Sequence, residues 1–143
     1  MPSIKIDLPA VFTFSTEIPV RITDINYGGH AGNDALLSII HEARVRFLGA
    51  KGYAELQMGG FGLIMSDVAI SFKKEAHYGD VIKASVAAAS FTRVGFELFY
   101  RFEKVEDGNS VIILTAKTGM ICYNYDKKRV VSIPEEVKVR LGE

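Results

Sequence analysis

One stretch of this chain, residues 33–48, places apolar side chains at helical spacing, and nearly everything after it alternates at period two. Leu36, Leu37, Ile40, Ala43, Arg44, Phe47 and Leu48 recur at intervals of three and four, the stripe of an amphipathic helix. Asn33 or Asp34 can cap its start, and Gly49 or Gly52 can end it, so the pattern predicts a helix of about 15 residues. Four alternating runs follow, at residues 63–73, 81–92, 95–104 and 111–125. They are broken by glycine-bearing turns at 59–62, 78–80, 93–95 and 107–109, the last a strong hairpin signal. An earlier run over 12–22 sets Phe12 and Phe14, then Ile18, Val20 and Ile22, at period two. A short helix near the C-terminus is predicted at Pro134, with Ser132 near its cap and Glu135 and Glu136 in its first turn. A lone helix with so apolar a stripe needs a broad surface to bury it, and a curved sheet supplies one. The expectation is an α+β fold, an antiparallel five-stranded sheet wrapped around one long central helix. The four late strands, joined by short turns, are expected to be antiparallel neighbours.

With 143 residues and no linker or repeat, residues 1–143 read as a single domain. Lys plus Arg and Asp plus Glu are 17 each. A net charge of zero argues against nucleic acid as a partner, because phosphate binding draws on an excess of cations. The single cysteine, Cys122, can form neither an internal disulfide nor a Cys-rich metal site, so a cytoplasmic protein is expected. The histidines, His30, His41 and His77, sit at no metal-ligand spacing, and no phosphate-loop or dinucleotide fingerprint occurs, so neither metal nor cofactor is expected. Residues 1–10 lack the basic start and apolar run of a signal peptide, and no apolar stretch is long enough to span a membrane.

The segment with chemical potential is the loop 23–34, between the first strand and the helix. It holds Asp24, Asn26, His30, Asn33 and Asp34 among Gly28, Gly29 and Gly32. Glycines let backbone approach a ligand closely. The first amides of a helix are unpaired and favour negative charge. A thioester carbonyl turning into an oxyanion would suit that place. His30 can titrate near neutral pH and bracket a carbonyl or a water. Turn geometry alone accounts for the same composition, with Asp24 and Asn33 as caps, and the residues by themselves leave both readings open.

The run Val20-Arg21-Ile22-Thr23-Asp24-Ile25-Asn26-Tyr27-Gly28-Gly29-His30, then Gly32-Asn33, then His41-Glu42-Ala43-Arg44-Val45-Arg46-Phe47-Leu48, resembles the 4-hydroxybenzoyl-CoA thioesterase-like family of hot-dog proteins. So do Ile70-Ser71-Phe72-Lys73-Lys74-Glu75-Ala76 with Tyr78-Gly79-Asp80, and Val131-Ser132-Ile133-Pro134-Glu135. The resemblance implies a hot-dog fold, hydrolysis of an acyl-CoA or acyl-carrier-protein thioester, and a homodimer or homotetramer with sites at the interface. It places Asn26 where many members carry a catalytic Asp. An amide can act neither as nucleophile nor as base. Three outcomes are open: Asn26 positions a water or the carbonyl while His30 acts as base; Asp24 or Asp34 supplies the carboxylate; or the chain binds thioesters with little hydrolysis. Backbone donors near Gly29 and His30 would form the oxyanion site, with Gly28 and Asn33 beside the substrate. A hot-dog dehydratase is a third class of function.

Ser66 and Asp67 interrupt an apolar strand and could position substrate in a partner's site; a solvent-facing pair explains them equally. Lys73, Lys74, Arg93 and Lys117 could meet CoA phosphates, although exposed cations are ordinary. His41 is expected in a hydrogen bond within the core or in a dimer contact, with an active-site role as the alternative; Glu42 and Arg46 are expected in a helical ion pair, and Phe91, Phe96, Phe99, Tyr100 and Phe102 in the core.

Overall fold

The computed structural model describes residues 4–142. Residues 1–3, part of the segment read as carrying no signal peptide, lie outside them, as does Glu143. The elements run β1 (Phe14–Pro19), a 3-10 turn (Ile22–Asp24), α1 (Asn33–Ala50), β2 (Gly62–Phe72), β3 (Val81–Ala89), β4 (Gly95–Glu106), β5 (Asn109–Asn124), β6 (Arg129–Val130) and α2 (Glu135–Gly142). The sheet is antiparallel in the order β1-β3-β4-β5-β2, and β6 extends the β4 side of β5 beyond the end of β4. The core is one cluster in which α1 contributes Leu36, Ile39, Ile40, Ala43, Phe47 and Leu48. Facing them are sheet residues including Ile82, Val86, Tyr100, Phe102 and Leu114. The predicted helix wrapped by a sheet is therefore present.

Several expectations are corrected. The first strand stops at Pro19 because residues 22–24 wind into a 3-10 turn. The Asp24 carboxylate accepts from the Arg21 amide at 2.8 Å and from its guanidinium at 3.3 Å, pulling the chain out of extended form. Neither Asn33 nor Asp34 caps α1; Gly32 does, without a side chain, and its carbonyl receives the Leu36 amide at 2.9 Å. The helix is 18 residues long and runs through Gly49. It ends at Gly52 (φ +85°), whose amide and that of Tyr53 return to the carbonyls of Gly49 and Leu48, the left-handed closure that glycine adopts without strain. Leu37 is exposed and Ile39 takes its place in the stripe. Pro134 precedes α2 rather than entering it, and its carbonyl accepts the Val137 amide at 3.1 Å; the Ser132 hydroxyl accepts from Arg93 instead of capping. The sixth strand, β6, was not expected.

The largest correction is topological. The strands β3, β4 and β5 are sequential neighbours, but β2 pairs with β5, at the opposite side of the sheet from β1. Residues 73–80 therefore cross the end of the sheet over about 14 Å, three strand spacings. This crossover carries Glu75 and Ala76 past the loop that precedes α1, because the Ala31 amide donates to the Ala76 carbonyl at 2.8 Å. It also leaves β2 as an 11-residue edge strand with Ile64, Met65, Val68 and Phe72 exposed.

Candidate active site

The loop before α1 is a compact turn. The Asn26 amide donates to the His30 carbonyl (2.9 Å), and the Gly29 amide donates to the Asn26 carbonyl (3.1 Å). The Asn26 side-chain oxygen accepts the Gly28 amide at 2.8 Å, a local Asx turn. Gly29 adopts φ +85°, a left-handed conformation that suits glycine. Asn26 and His30 flank Gly28 closely: a Cβ there would lie 3.2 Å from Asn26 Oδ1 and 3.3 Å from His30 Nε2. With Oδ1 engaged, Nδ2 of Asn26 remains a donor beside the helix start, 3.6 Å from where a Gly32 Cβ would be.

His30 is half-buried, with 32% of its side chain exposed. Its Nδ1 lies 3.1 Å from the Ala31 carbonyl oxygen. Its Nε2 lies 3.3 Å from Oε2 of Glu75. An open cleft of about 580 Å³ borders this pair, lined by His30, Ala31, Asn33 and Leu36 on one side and by Phe72, Lys73, Lys74 and Glu75 on the other. Clefts of about 490 and 660 Å³ elsewhere on the surface are lined by no histidine. Polar groups converging on a concavity at the mouth of a helix form a place where charge can develop on a bound carbonyl.

The structure brings Asn26, Gly28, His30 and Asn33 to this end of the sheet, with Asp34 beside them, and separates Asp24, Ser66 and Asp67 from it. Asp24 is 7% exposed and its carboxylate is occupied by Arg21. Asp34 lies in the first turn of α1, where it favours the helix dipole; its Oδ1 sits 2.5 Å from where a Gly32 Cβ would be, so position 32 has no room for a side chain unless Asp34 moves. Of the amides near the expected oxyanion donors, those of Gly28 and Gly29 are spent inside the turn. The first turn of α1, which has no side-chain cap, adds further amides at this end of the loop. Ser66 and Asp67 occupy a β-bulge in β2 and line a separate cleft with Thr92, Phe96 and Gly119. The Ser66 hydroxyl donates to Asp67 at 3.0 Å, so within one chain the pair does not meet His30.

Among the cations, Lys73 and Lys74 line the cleft. Lys74 pairs with Glu106 at 2.9 Å, and that carboxylate pushes the Lys74 ammonium above its ordinary value. Lys117 pairs with Glu97, away from the cleft. His41, exposed rather than in the core, bonds Glu55 at 2.6 Å, and Glu42 pairs with Arg46 at 2.9 Å as expected. Sequence reasoning missed Glu75. Its signal was its place in the conspicuous run before Tyr78-Gly79-Asp80, but only the crossover brings it to His30.

A model of the thioesterase-like superfamily matches residues 20–141. The chain belongs to this superfamily. Solved structures of similar fold include a 4-hydroxybenzoyl-CoA thioesterase variant complexed with 4-hydroxybenzoyl-CoA. It shares 14% identity at a TM-score of 0.83, over 90% of this chain and 98% of that one. A 1,4-dihydroxy-2-naphthoyl-CoA thioesterase from Synechocystis is 21% identical at a TM-score of 0.77, over 90% and 94%. A gentisyl-coenzyme A thioesterase is 20% identical at 0.77, over 90% and 100%. No curated protein matches the sequence. The fold is thus the hot-dog fold that the sequence resemblance implied. Among the described residues, no helix is long and apolar enough to cross a membrane.

Proposed function

We propose that this member of the thioesterase-like superfamily is an acyl-CoA thioesterase, releasing a carboxylic acid and free CoA. The observation that carries the proposal is the cleft bordered by the His30–Glu75 pair and the uncapped start of α1, with Asn26 beside His30 in the same loop. A thioester carbonyl entering it would point its oxygen at the first amides of α1 and at Nδ2 of Asn26. These fixed donors stabilise the negative charge that develops as the carbonyl carbon becomes tetrahedral. Asn26 positions; it does not attack. The Lys73 ammonium, at the cleft's rim, is suited to a CoA phosphate.

We infer further that the working unit is a homodimer or a dimer of dimers. The β2 edge presents unpaired backbone groups together with Ile64, Met65, Val68 and Phe72, and an edge of that length invites pairing with another strand. Pairing there would bring a second copy's Ser66 and Asp67 toward the cleft, which Phe72 borders. The expected compartment is the cytoplasm, consistent with a lone free thiol, Cys122, buried in the core.

The test is thiol release over short-, medium- and long-chain and aromatic acyl-CoAs. Aromatic substrates are included because the structural neighbours named above act on them. Saturable release, lowered at least tenfold in His30→Ala, is the expected result. A second reading, a thioester-binding protein without turnover, is favoured by Asn26 standing where many family members carry Asp. Binding without release from any substrate would establish it, and gain of turnover in Asn26→Asp would explain it.

A further inference from the structure

We propose that Glu75 is the carboxylate that activates the hydrolytic water and that His30 is its positioning partner. This rests on the thioesterase reading above and assigns the base that the reading leaves open. Hydrolysis needs a group that can take a proton from water. Asn26 cannot take one, because its amide is no base. Asp24 is held by Arg21, and Asp34, turned toward Gly32, does not line the cleft. Glu75 is the acidic residue that lines the cleft with His30 and Asn33.

The hydrogen-bonding arithmetic of the His30 ring points the same way. A carbonyl oxygen only accepts, so Nδ1, facing Ala31 O at 3.1 Å, carries a proton. A neutral ring would then turn the lone pair of Nε2 toward the Glu75 carboxylate, 3.3 Å away. Two acceptors facing each other repel. A proton shared between Nε2 and Oε2 satisfies the contact, so both ring nitrogens are engaged, Nδ1 with Ala31 and Nε2 with Glu75. The carboxyl group keeps a second oxygen, free to meet water. The base is therefore Glu75, and His30 orients it.

Three hydrogen bonds to backbone carbonyls fix the base of this side chain although the side chain itself is 61% exposed. The amides of Lys73 and Lys74 both donate to the Ile113 carbonyl, at 2.8 and 3.0 Å. The Lys104 ammonium donates to the Glu75 carbonyl at 2.8 Å. Next along the chain, Ala76 is fully buried and bonded to Ala31. The crossover thus delivers Glu75 to a fixed place at the helix mouth.

The step balances as follows. A Glu75 oxygen takes a proton from water while the water oxygen bonds to the thioester carbon, and the carbonyl π electrons move onto oxygen. Collapse of this tetrahedral species breaks the C–S bond with the electron pair going to sulfur. Protonated Glu75 then returns its proton to the thiolate, leaving a carboxylic acid, CoA thiol and the original carboxylate.

The test uses the full chain and the acyl-CoA panel, with kcat and KM measured for the parent, Glu75→Gln, Glu75→Asp and His30→Gln. For Glu75→Gln, kcat should fall at least about 100-fold, the scale of general-base catalysis, with KM changed less than about threefold. Glu75→Asp should recover part of that loss. The acidic limb of the parent's pH–kcat profile, where a general base loses its activity, should shift in His30→Gln and vanish in Glu75→Gln, which a merely structural pair would not do. A parent that turns over while Glu75→Gln keeps its kcat overturns this assignment and leaves the thioesterase reading standing. A parent that releases no thiol from any acyl-CoA overturns both.

Discussion

The charge buried beneath the helix offers the sharpest test of how this fold is held together. Arg44 projects from α1 into the core with only 7% of its side chain exposed. Its Nε faces Glu55 Oε2 at 3.4 Å, and one terminal nitrogen donates to the Tyr100 hydroxyl at 3.3 Å. That hydroxyl is in turn 2.8 Å from Thr118 Oγ1, in the fully buried heart of the sheet. Glu55, on the loop after α1, also receives His41 at 2.6 Å. Burial comes first among the influences on the Tyr100 phenol and raises it above its ordinary value, so it stays neutral and cannot replace a lost carboxylate. Glu55→Ala would leave the guanidinium with neutral partners alone. Removing one member of a fully buried pair costs 3–5 kcal/mol as a rule, and because Glu55 is 27% exposed water shares the load, so the expected loss is about 2–3 kcal/mol. For a domain of this size that is roughly 6–10 °C in Tm. Arg44→Met removes the charge together with its desolvation, so the double variant should be more stable than Glu55→Ala alone. Thermal and urea unfolding at one fixed protomer concentration, needed because association shifts apparent stability, would measure the cycle. Glu55→Ala within about 0.5 kcal/mol of the parent, the usual range of surface changes, would refute the claim that Arg44 depends on this carboxylate.

Other outcomes follow from local chemistry. Burial pushes the Cys122 thiol up to about 11, and because the thiolate is the reactive form, native protein at pH 8 should resist a thiol-reactive dye until unfolded; rapid native labelling would contradict the packing around β5. At Asp80, burial disfavours the carboxylate, but the His77 amide at 2.8 Å and the Lys104 ammonium at 2.9 Å outweigh it and hold the group below its ordinary 3.8. A depressed carboxylate stabilises the fold fully above its unfolded value and loses that contribution as pH falls through the lower folded one. Unfolding midpoints should therefore drop below about pH 4, and less steeply in Asp80→Asn; parallel pH curves for the two proteins would remove Asp80 from the account.

By itself, the sequence determined most of the elements and the neighbourhood of the candidate site. The helical stripe, the period-two runs and the Asp107-Gly108-Asn109 turn are local signals, and local signals survive translation into structure because each depends on residues a few positions apart. The loop with Asn26 and His30 was legible for the same reason, as was the burial of Phe96, Tyr100 and Phe102. Boundaries were decided by contacts between near neighbours that compete with periodicity: the Asp24–Arg21 clasp ended β1 early, and Gly32 displaced Asn33 and Asp34 as the cap. Strand order and the partners of each charge were decided only by tertiary structure. Nothing within residues 62–81 states that β2 pairs with β5 rather than β3, and pairing depends on where the rest of the sheet has already formed. That same crossover sets Glu75 against His30, 45 residues apart in sequence but 3.3 Å apart in space, and no spacing rule along the chain could have joined them.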